Sequence, residues 1–334
     1  MGDNKDNNNN TSQPELSRFE RHRRRVEMRA SKALFRIIDI VFNAPQNSCP
    51  YVTKDNAKTI DCIADIVYDE TLPKICTMDV YSVGDEKDKP AIILIHGGGF
   101  SAGGKRYRKG QAQFFALNGF KVFCIDYGLS PDYIFPEPIK QVVEAANHIF
   151  DNAEEYGIDK DRIFVEGDSA GAYCAAMLAS FNCSDKLTEL FGIKLKFKIY
   201  GAMLNCGIYD LDTIMNTKFI LNVDDGVFLN FIGMRRAEIN EFKYRDCCMP
   251  IDFVTADYPP TFLAYSKHDI LCKGQGEMFT KKMDAVGAYY EFYSARRATS
   301  NHCYSLNWRG EDAIAANTLM LSFALRRAND KIKL

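Results

Sequence analysis

A chain of 334 residues, 46% apolar and 26% charged, carries enough nonpolar material for one large core with insertions or for two average domains. Its formal net charge of −2 argues against a nucleic acid engaging the whole surface, and no stretch reaches the roughly 18 to 20 uninterrupted apolar residues of a membrane span. Eleven cysteines without metal-ligand spacing suit small buried side chains in a reducing, cytoplasmic setting.

Residues 1–14 are polar and asparagine-rich, which reads as a disordered tail and not a secretory signal. From Glu15 to Phe42 neither Pro nor Gly interrupts a helix, and Pro45 to Asn47 end it. Arg18, Arg21, Arg23, Arg24, Arg25 and Arg29 crowd its first half and are expected to be solvated. Leu34, Phe35, Ile37, Ile38, Val41 and Phe42 form an apolar stripe expected to dock on protein, although a basic amphipathic helix also suits an anionic membrane surface.

Two strands with alternating apolar residues follow, Ala64 to Tyr68 and Thr77 to Val83. Ala91 to Ile95 is a continuous apolar run of the kind buried on both sheet faces. Helix Tyr107 to Leu117, strand Lys121 to Ile125, helix Ile139 to Tyr156, strand Ile163 to Val165, helix Ala170 to Phe181 and strand Lys196 to Met203 then alternate as in a parallel, crossover-connected sheet. Residues 207–257 break this rhythm with Phe219-Ile220-Leu221, Val227-Phe228-Leu229 and Phe231-Ile232, and are too long for a connecting loop. Strand Thr261 to Tyr265, helix Gln275 to Val286, strand Tyr289 to Tyr293 and helix Asp312 to Arg327 resume the core.

Two short motifs sit at strand ends, where such sheets meet ligands. Gly167-Asp168-Ser169-Ala170-Gly171 is a GxSxG pattern in which small residues let a strand and a helix pass closely around an exposed serine. The helix start behind it favours developing negative charge. GxSxG alone is short enough to arise by chance, but His96-Gly97-Gly98-Gly99-Phe100 precedes it, and three glycines after a strand can turn bare backbone amides towards a neighbouring site. Lys105, Arg106, Arg108 and Lys109 follow that turn and read as a solvated face, with attraction of an acidic substrate as the alternative.

From about Asp65 to the C-terminus the chain resembles the hormone-sensitive-lipase-like family of α/β-hydrolase carboxylesterases. HGGGF and GDSAG match its two signatures, and Asp126-Tyr127-Gly128-Leu129-Ser130-Pro131 with Phe135-Pro136 is similar to a third, with Gly128 and Ser130 in place of arginine and alanine. The resemblance implies an α/β-hydrolase fold, a mostly parallel sheet flanked by helices. The core would be 61–206 and 258–334, with a cap built from N-terminal helices (15–60) and the 207–257 insertion. It implies Ser169 as nucleophile, Asp269 of Asp269-Ile270-Leu271 as orienting acid and His302 as base, in the chain order this fold requires. His268 is the competing histidine. Cys303 follows the base where the family often has glycine.

Gly98, Gly99 and Ala170 would supply oxyanion-hole N–H groups, His96 would brace the glycine turn, and Phe100, Tyr127 and Tyr173 would line the substrate site. A serine hydroxyl needs such a base to attack at neutral pH, and the resemblance implies hydrolysis of short- to medium-chain esters as the reaction. An amidase or deacetylase on the same residues and a non-catalytic ligand-binding relative remain the alternatives. No metal or organic cofactor is called for. The expected partner is a small-molecule ester, with no nucleic acid and no stable membrane insertion. Family resemblance allows a homodimer.

Overall fold

Strand alternation dictates two cores on the two faces of one sheet. The structure is a computed structural model that describes residues 17–43, 49–215 and 223–329. In chain order the elements are α1 (Arg18–Asn43), β1 (Ile60–Val67), β2 (Thr77–Val83), β3 (Lys89–Ile95), α2 (Lys109–Leu117), β4 (Lys121–Ile125), α3 (Glu137–Asp151), α4 (Ala153–Tyr156), β5 (Ile158–Asp168), α5 (Ala170–Ser180), α6 (Asp185–Phe191), β6 (Gly201–Asn205), α7 (Leu211–Met215), α8 (Val223–Ile232), β7 (Thr261–Ser266), α9 (Gln275–Val286), β8 (Tyr290–Ala295) and α10 (Glu311–Asn329). The sheet has eight strands in the order β1-β2-β4-β3-β5-β6-β7-β8. Ile93, Ile95, Val165 and Leu204 face a core with α3 and α5, whereas Ile92, Leu94, Phe164 and Met203 face one with α2 and α10. This is the α/β-hydrolase architecture expected from the sequence, and it puts β3 and β5 side by side in parallel at the centre.

Several boundaries differ from expectation for identifiable reasons. The sheet is mixed, because β2 pairs antiparallel with both β1 and β4. At the edge, β1 is mostly solvent-facing and bulged at Asp65 (φ 58°), so it lacks a clean hydrophobic alternation and starts earlier than expected. Strand-like alternation at Lys196-Phe197-Lys198-Ile199 is not a strand: the Lys196 N–H donates to Asn147 Oδ1 and the Ile199 N–H to Asn182 Oδ1, both at 2.9 Å. Side-chain amides have taken the place of ladder partners, and β6 starts at Gly201.

The 207–257 segment contributes α7, α8 and short 3₁₀ turns, and α1 packs on α8. Phe219, Ile220 and Leu221, the 1–14 tail and Pro45 to Asn47 lie outside the described residues, as do the side chains of Ile38, Val41 and Phe42. No helix among the described residues is long and apolar enough to cross a membrane.

The basic half of α1 is not simply solvated. Arg24 is buried, with Nη2 donating to Glu238 Oε1 at 2.6 Å and Nη1 to the Gly233 carbonyl at 3.3 Å. The docked face is Arg24, Met28, Ser31 and Phe35, spaced at helical repeats, while Leu34 and Ile37 of the expected stripe are exposed. Ion pairing to the 3₁₀ turn after α8 selects this face, a term hydrophobic patterning omits.

Candidate active site

β5 ends at Asp168, α5 begins at Ala170, and Ser169 between them has φ 52° and ψ −119°. Such a conformation costs a non-glycine residue about 1–3 kcal/mol. It persists because the Ser169 N–H donates to the Asn205 carbonyl of β6 at 2.8 Å and Gly167 lies directly against Gly171, with no space for a Cβ. The small residues Ala170, Gly171, Ala172, Ala175 and Ala176 bury α5 deep beside the sheet.

Asp269 and His302, 33 residues apart, meet at this turn. His302 Nε2 lies 2.9 Å from Ser169 Oγ, and His302 Nδ1 lies 3.1 and 3.0 Å from the two Asp269 oxygens. The network assigns the proton to Nδ1, leaving Nε2 to accept from the serine hydroxyl. Asp269 Oδ1 also accepts the N–H groups of Leu271 (2.8 Å) and Cys272 (2.7 Å).

Burial pushes the Asp269 carboxyl upward, but the charge and hydrogen bond of His302 and the two N–H donors outweigh it and hold Asp269 below the ordinary carboxylate value. Burial likewise pulls His302 down, and the Asp269 carboxylate overcomes it, holding the imidazole above its ordinary value. His268 points elsewhere, its Nε2 3.0 Å from the Arg296 carbonyl. Cys303 adopts φ 50°, the left-handed region that glycine favours, so cysteine carries a backbone geometry usually left to glycine.

Above Ser169 the glycine turn presents its amides. The N–H groups of Gly98, Gly99 and Ala170 donate to no other group among the described residues. Gly99 has φ 58°, and a Cβ there would lie 2.5 Å from the Phe35 ring, so both backbone and space demand glycine. His96 is buried, with Nδ1 2.8 Å from the Gly97 carbonyl; burial lowers its pKa against the pull of Asp126.

Tyr127 differs from expectation. Its ring stacks on His96 with centroids 4.5 Å apart and its hydroxyl donates to the His96 carbonyl at 2.8 Å. It pins the glycine turn from behind and lines neither of the two apolar cavities at the site. Phe100 and Tyr173 do line one.

The charged run after the turn is solvated at Arg106 and Lys109 as expected, but Lys105 and Arg108 differ from expectation. Arg108 and Asp168 form a bidentate pair, Nε to Oδ1 at 2.5 Å and Nη2 to Oδ2 at 2.7 Å, each side chain only 3% exposed. Lys105 is buried between Asp65 and Asp79, 2.5 Å from each. An aspartate inside an apolar strand needs a buried cation, and the Asp of GDSAG beside this basic run was the available signal. Glu166, two residues before Asp168 on β5, is also buried. Its Oε1 accepts from Asn205 Nδ2 at 2.6 Å, while Glu166 Oε2 and Asn205 Oδ1 have no partner among the described residues. Burial first, then the Asp168 charge, raise its pKa to about 8, so at neutral pH its carboxyl carries the proton that a carboxylate would lack.

Ser169 opens into an apolar cleft walled by Phe35, Gly99, Ala170, Ile208, Ile214, Val227, Leu271 and Cys272. A second, small apolar cavity shares Ile208, Ile214 and Val227 and is bounded by Phe100, Tyr173 and Phe231, whose rings contact one another at 4.7–5.5 Å. Asp269, Cys272 and His302 place metal-ligand-type atoms within 4.8 Å of one another, but Asp269 and His302 are already engaged with each other.

A protein-family model described as BD-FAE matches residues 78–283. Among solved structures, esterase B from Lactobacillus rhamnosis is 20% identical, with a TM-score of 0.75 over 92% of this chain and 98% of that one. The hyperthermophilic esterase from the archaeon Pyrobaculum calidifontis is 18% identical, with a TM-score of 0.69 over 94% and 99%. An acetyl ester-xyloside bifunctional hydrolase from Caldicellulosiruptor lactoaceticus is 18% identical, with a TM-score of 0.64 over 77% and 90%. At such identities these likenesses speak to the shared fold.

Proposed function

The chain belongs to the BD-FAE family of esterase-like α/β-hydrolases, and from that premise we propose that it is a serine carboxylesterase using Ser169, His302 and Asp269 on small esters with short to medium apolar acyl chains. The observation that carries this reading is the His302 ring suspended between Ser169 Oγ at 2.9 Å and Asp269 at 3.0 Å.

In the reaction, Ser169 Oγ attacks the ester carbonyl carbon as its proton passes to His302 Nε2. The resulting imidazolium is stabilised by Asp269. The tetrahedral oxygen takes its negative charge beside the unengaged N–H groups of Gly98, Gly99 and Ala170, each such donor being worth on the order of 10² to 10³ in turnover. Collapse breaks the bond to the alcohol oxygen, which leaves with the proton from His302. Water then repeats the sequence on the acyl-enzyme, its proton going to His302 and then to Ser169 Oγ as the acid departs.

Apart from the Ser169 hydroxyl the cleft offers little polar side-chain chemistry, which favours an acyl chain over a sugar ring. Phe35 of α1 with Ile208, Ile214 and Val227 of the insertion wall it as parts of a cap. Free thiols throughout the chain favour a reducing, cytoplasmic setting.

The test is hydrolysis of p-nitrophenyl esters from acetate to laurate by wild type and Ser169→Ala. Turnover that peaks at a short or medium chain and disappears in the variant is expected. A folded wild type inactive on every chain length would overturn the reading.

A further inference from the structure

Among the described side chains of α1, Phe35 lines the cleft that contains Ser169. Phe35 is 5% exposed and its ring stands on Gly99, with Cε1 2.5 Å and Cζ 2.7 Å from where a Gly99 Cβ would be. The same ring walls the cleft that contains Ser169 and Ala170. It therefore occupies volume beside the proposed seat of the carbonyl oxygen, not at the remote end of the acyl chain.

The ring is also held in place. One helical turn earlier, Ser31 Oγ accepts from Asn230 Nδ2 at 2.9 Å. Asn230 is completely buried; it also donates to Ser101 Oγ at 3.1 Å, next to Phe100 in the glycine turn, and accepts from Ser130 Oγ at 3.4 Å. Two turns further back, Arg24 is tied to Glu238 and the Gly233 carbonyl. Thus α1, α8 and the loop bearing the free amides share one buried polar junction, and the turn of α1 that carries Phe35 cannot lift away from Gly99 without breaking it.

We propose that Phe35 is a specificity-determining residue that selects straight-chain over α-branched acyl groups; this rests on the esterase reading of Ser169. A carbonyl oxygen held by the Gly99 N–H places the acyl α-carbon one bond from the carbonyl carbon. A methyl branch there needs space that the aromatic ring fills, whereas an unbranched chain turns into the apolar remainder of the cleft. Close packing makes even one extra methyl costly when the wall cannot yield.

The experiment measures kcat/KM for p-nitrophenyl butyrate and p-nitrophenyl isobutyrate with wild type, Phe35→Leu and Phe35→Ala. Wild type is expected to favour butyrate. Phe35→Ala should raise the isobutyrate-to-butyrate ratio by about tenfold, with Phe35→Leu between them. Because the readout is a ratio within one variant, a general loss of folded enzyme cancels, and Phe35→Leu supplies it should the alanine variant not fold. A ratio unchanged in the variants, whatever happens to absolute activity, overturns the assignment and leaves Phe35 a packing residue. A folded wild type inactive on both esters would overturn the esterase reading itself, a different outcome from an active enzyme whose ratio does not move.

Discussion

The floor beneath Ser169 and the wall facing it are held by different mixtures of contacts. Below, Arg108 and Asp168 pair bidentately with almost no exposure, and Glu166 meets Asn205 in the adjoining buried layer. Facing them, α1 is tied down partly by Arg235 to Glu20 at 3.3 Å and to Glu27 at 3.1 Å, with side chains a quarter to a third exposed, and by Arg25 to Asp132 on the open surface. Breaking a buried pair leaves an uncompensated charge in a low dielectric, whereas an exposed pair is solvated and screened. The strained serine thus rests on the costly kind of contact alone, whereas the cleft wall surrounds its buried Arg24 and Asn230 anchors with the cheap kind. The outer ties of the wall are the part free to be adjusted.

That contrast orders the expected effects of mutation. The largest belongs to the nucleophile: Ser169→Ala should lower kcat by about 10⁶ with little change in stability, read by steady-state kinetics beside thermal unfolding. Asp269→Asn should cost about 10⁴. Since His302 must be neutral to accept the serine proton and Asp269 holds it above its ordinary value, the acid limb of the wild-type kcat/KM profile should lie above the usual histidine range of about 6.5. In Asp269→Asn the limb of the residual activity should move down, and an unmoved limb would detach Asp269 from His302.

In the floor, Arg108→Met leaves Asp168 buried and unpaired. It should cost about 3–5 kcal/mol in denaturant unfolding, with recovery of part of that loss in the Arg108→Met, Asp168→Asn double variant. Additive losses would mean the two side chains do not act as a pair.

Glu166 yields the next effect. Its folded pKa of about 8 lies above the free value of 4.5, so its favourable contribution is complete below pH 4.5 and is lost as pH rises through about 8. Glu166→Gln should flatten the fall in melting temperature over that window and gain on the order of a few kcal/mol at its upper end. An identical pH dependence in the variant would show that Glu166 ionises normally.

The smallest effect is in the wall. Arg235→Gln should change stability by less than about 1 kcal/mol and act on KM more than kcat, with high salt reproducing much of it in the wild type. A salt-insensitive loss as large as that of Arg108→Met would erase the distinction between floor and wall.

What the sequence determined by itself was whatever a few contiguous residues could encode: the small-residue elbow around Ser169, the glycine turn at 97–99, the Asp269-Ile270-Leu271 turn, the histidine after the last strand, and the uninterrupted apolar runs of β3, β4 and β7. The elbow, the glycine turn and the apolar runs meet their physical demand within one turn or one strand, so it is written locally, whereas Asp269 and His302 are picked out by the family resemblance and chain order. Tertiary structure decided the rest. A basic run looks the same whether it faces water or a buried carboxylate, so the pairing of Arg108 with Asp168 and of Lys105 with Asp65 and Asp79 waited on the fold. An aromatic ring after a strand can point into a cleft or behind it, and Tyr127 points behind. The face that α1 docks is set by Arg24 and Ser31 as much as by Phe35, because buried polar groups must find partners and hydrophobic periodicity does not count them.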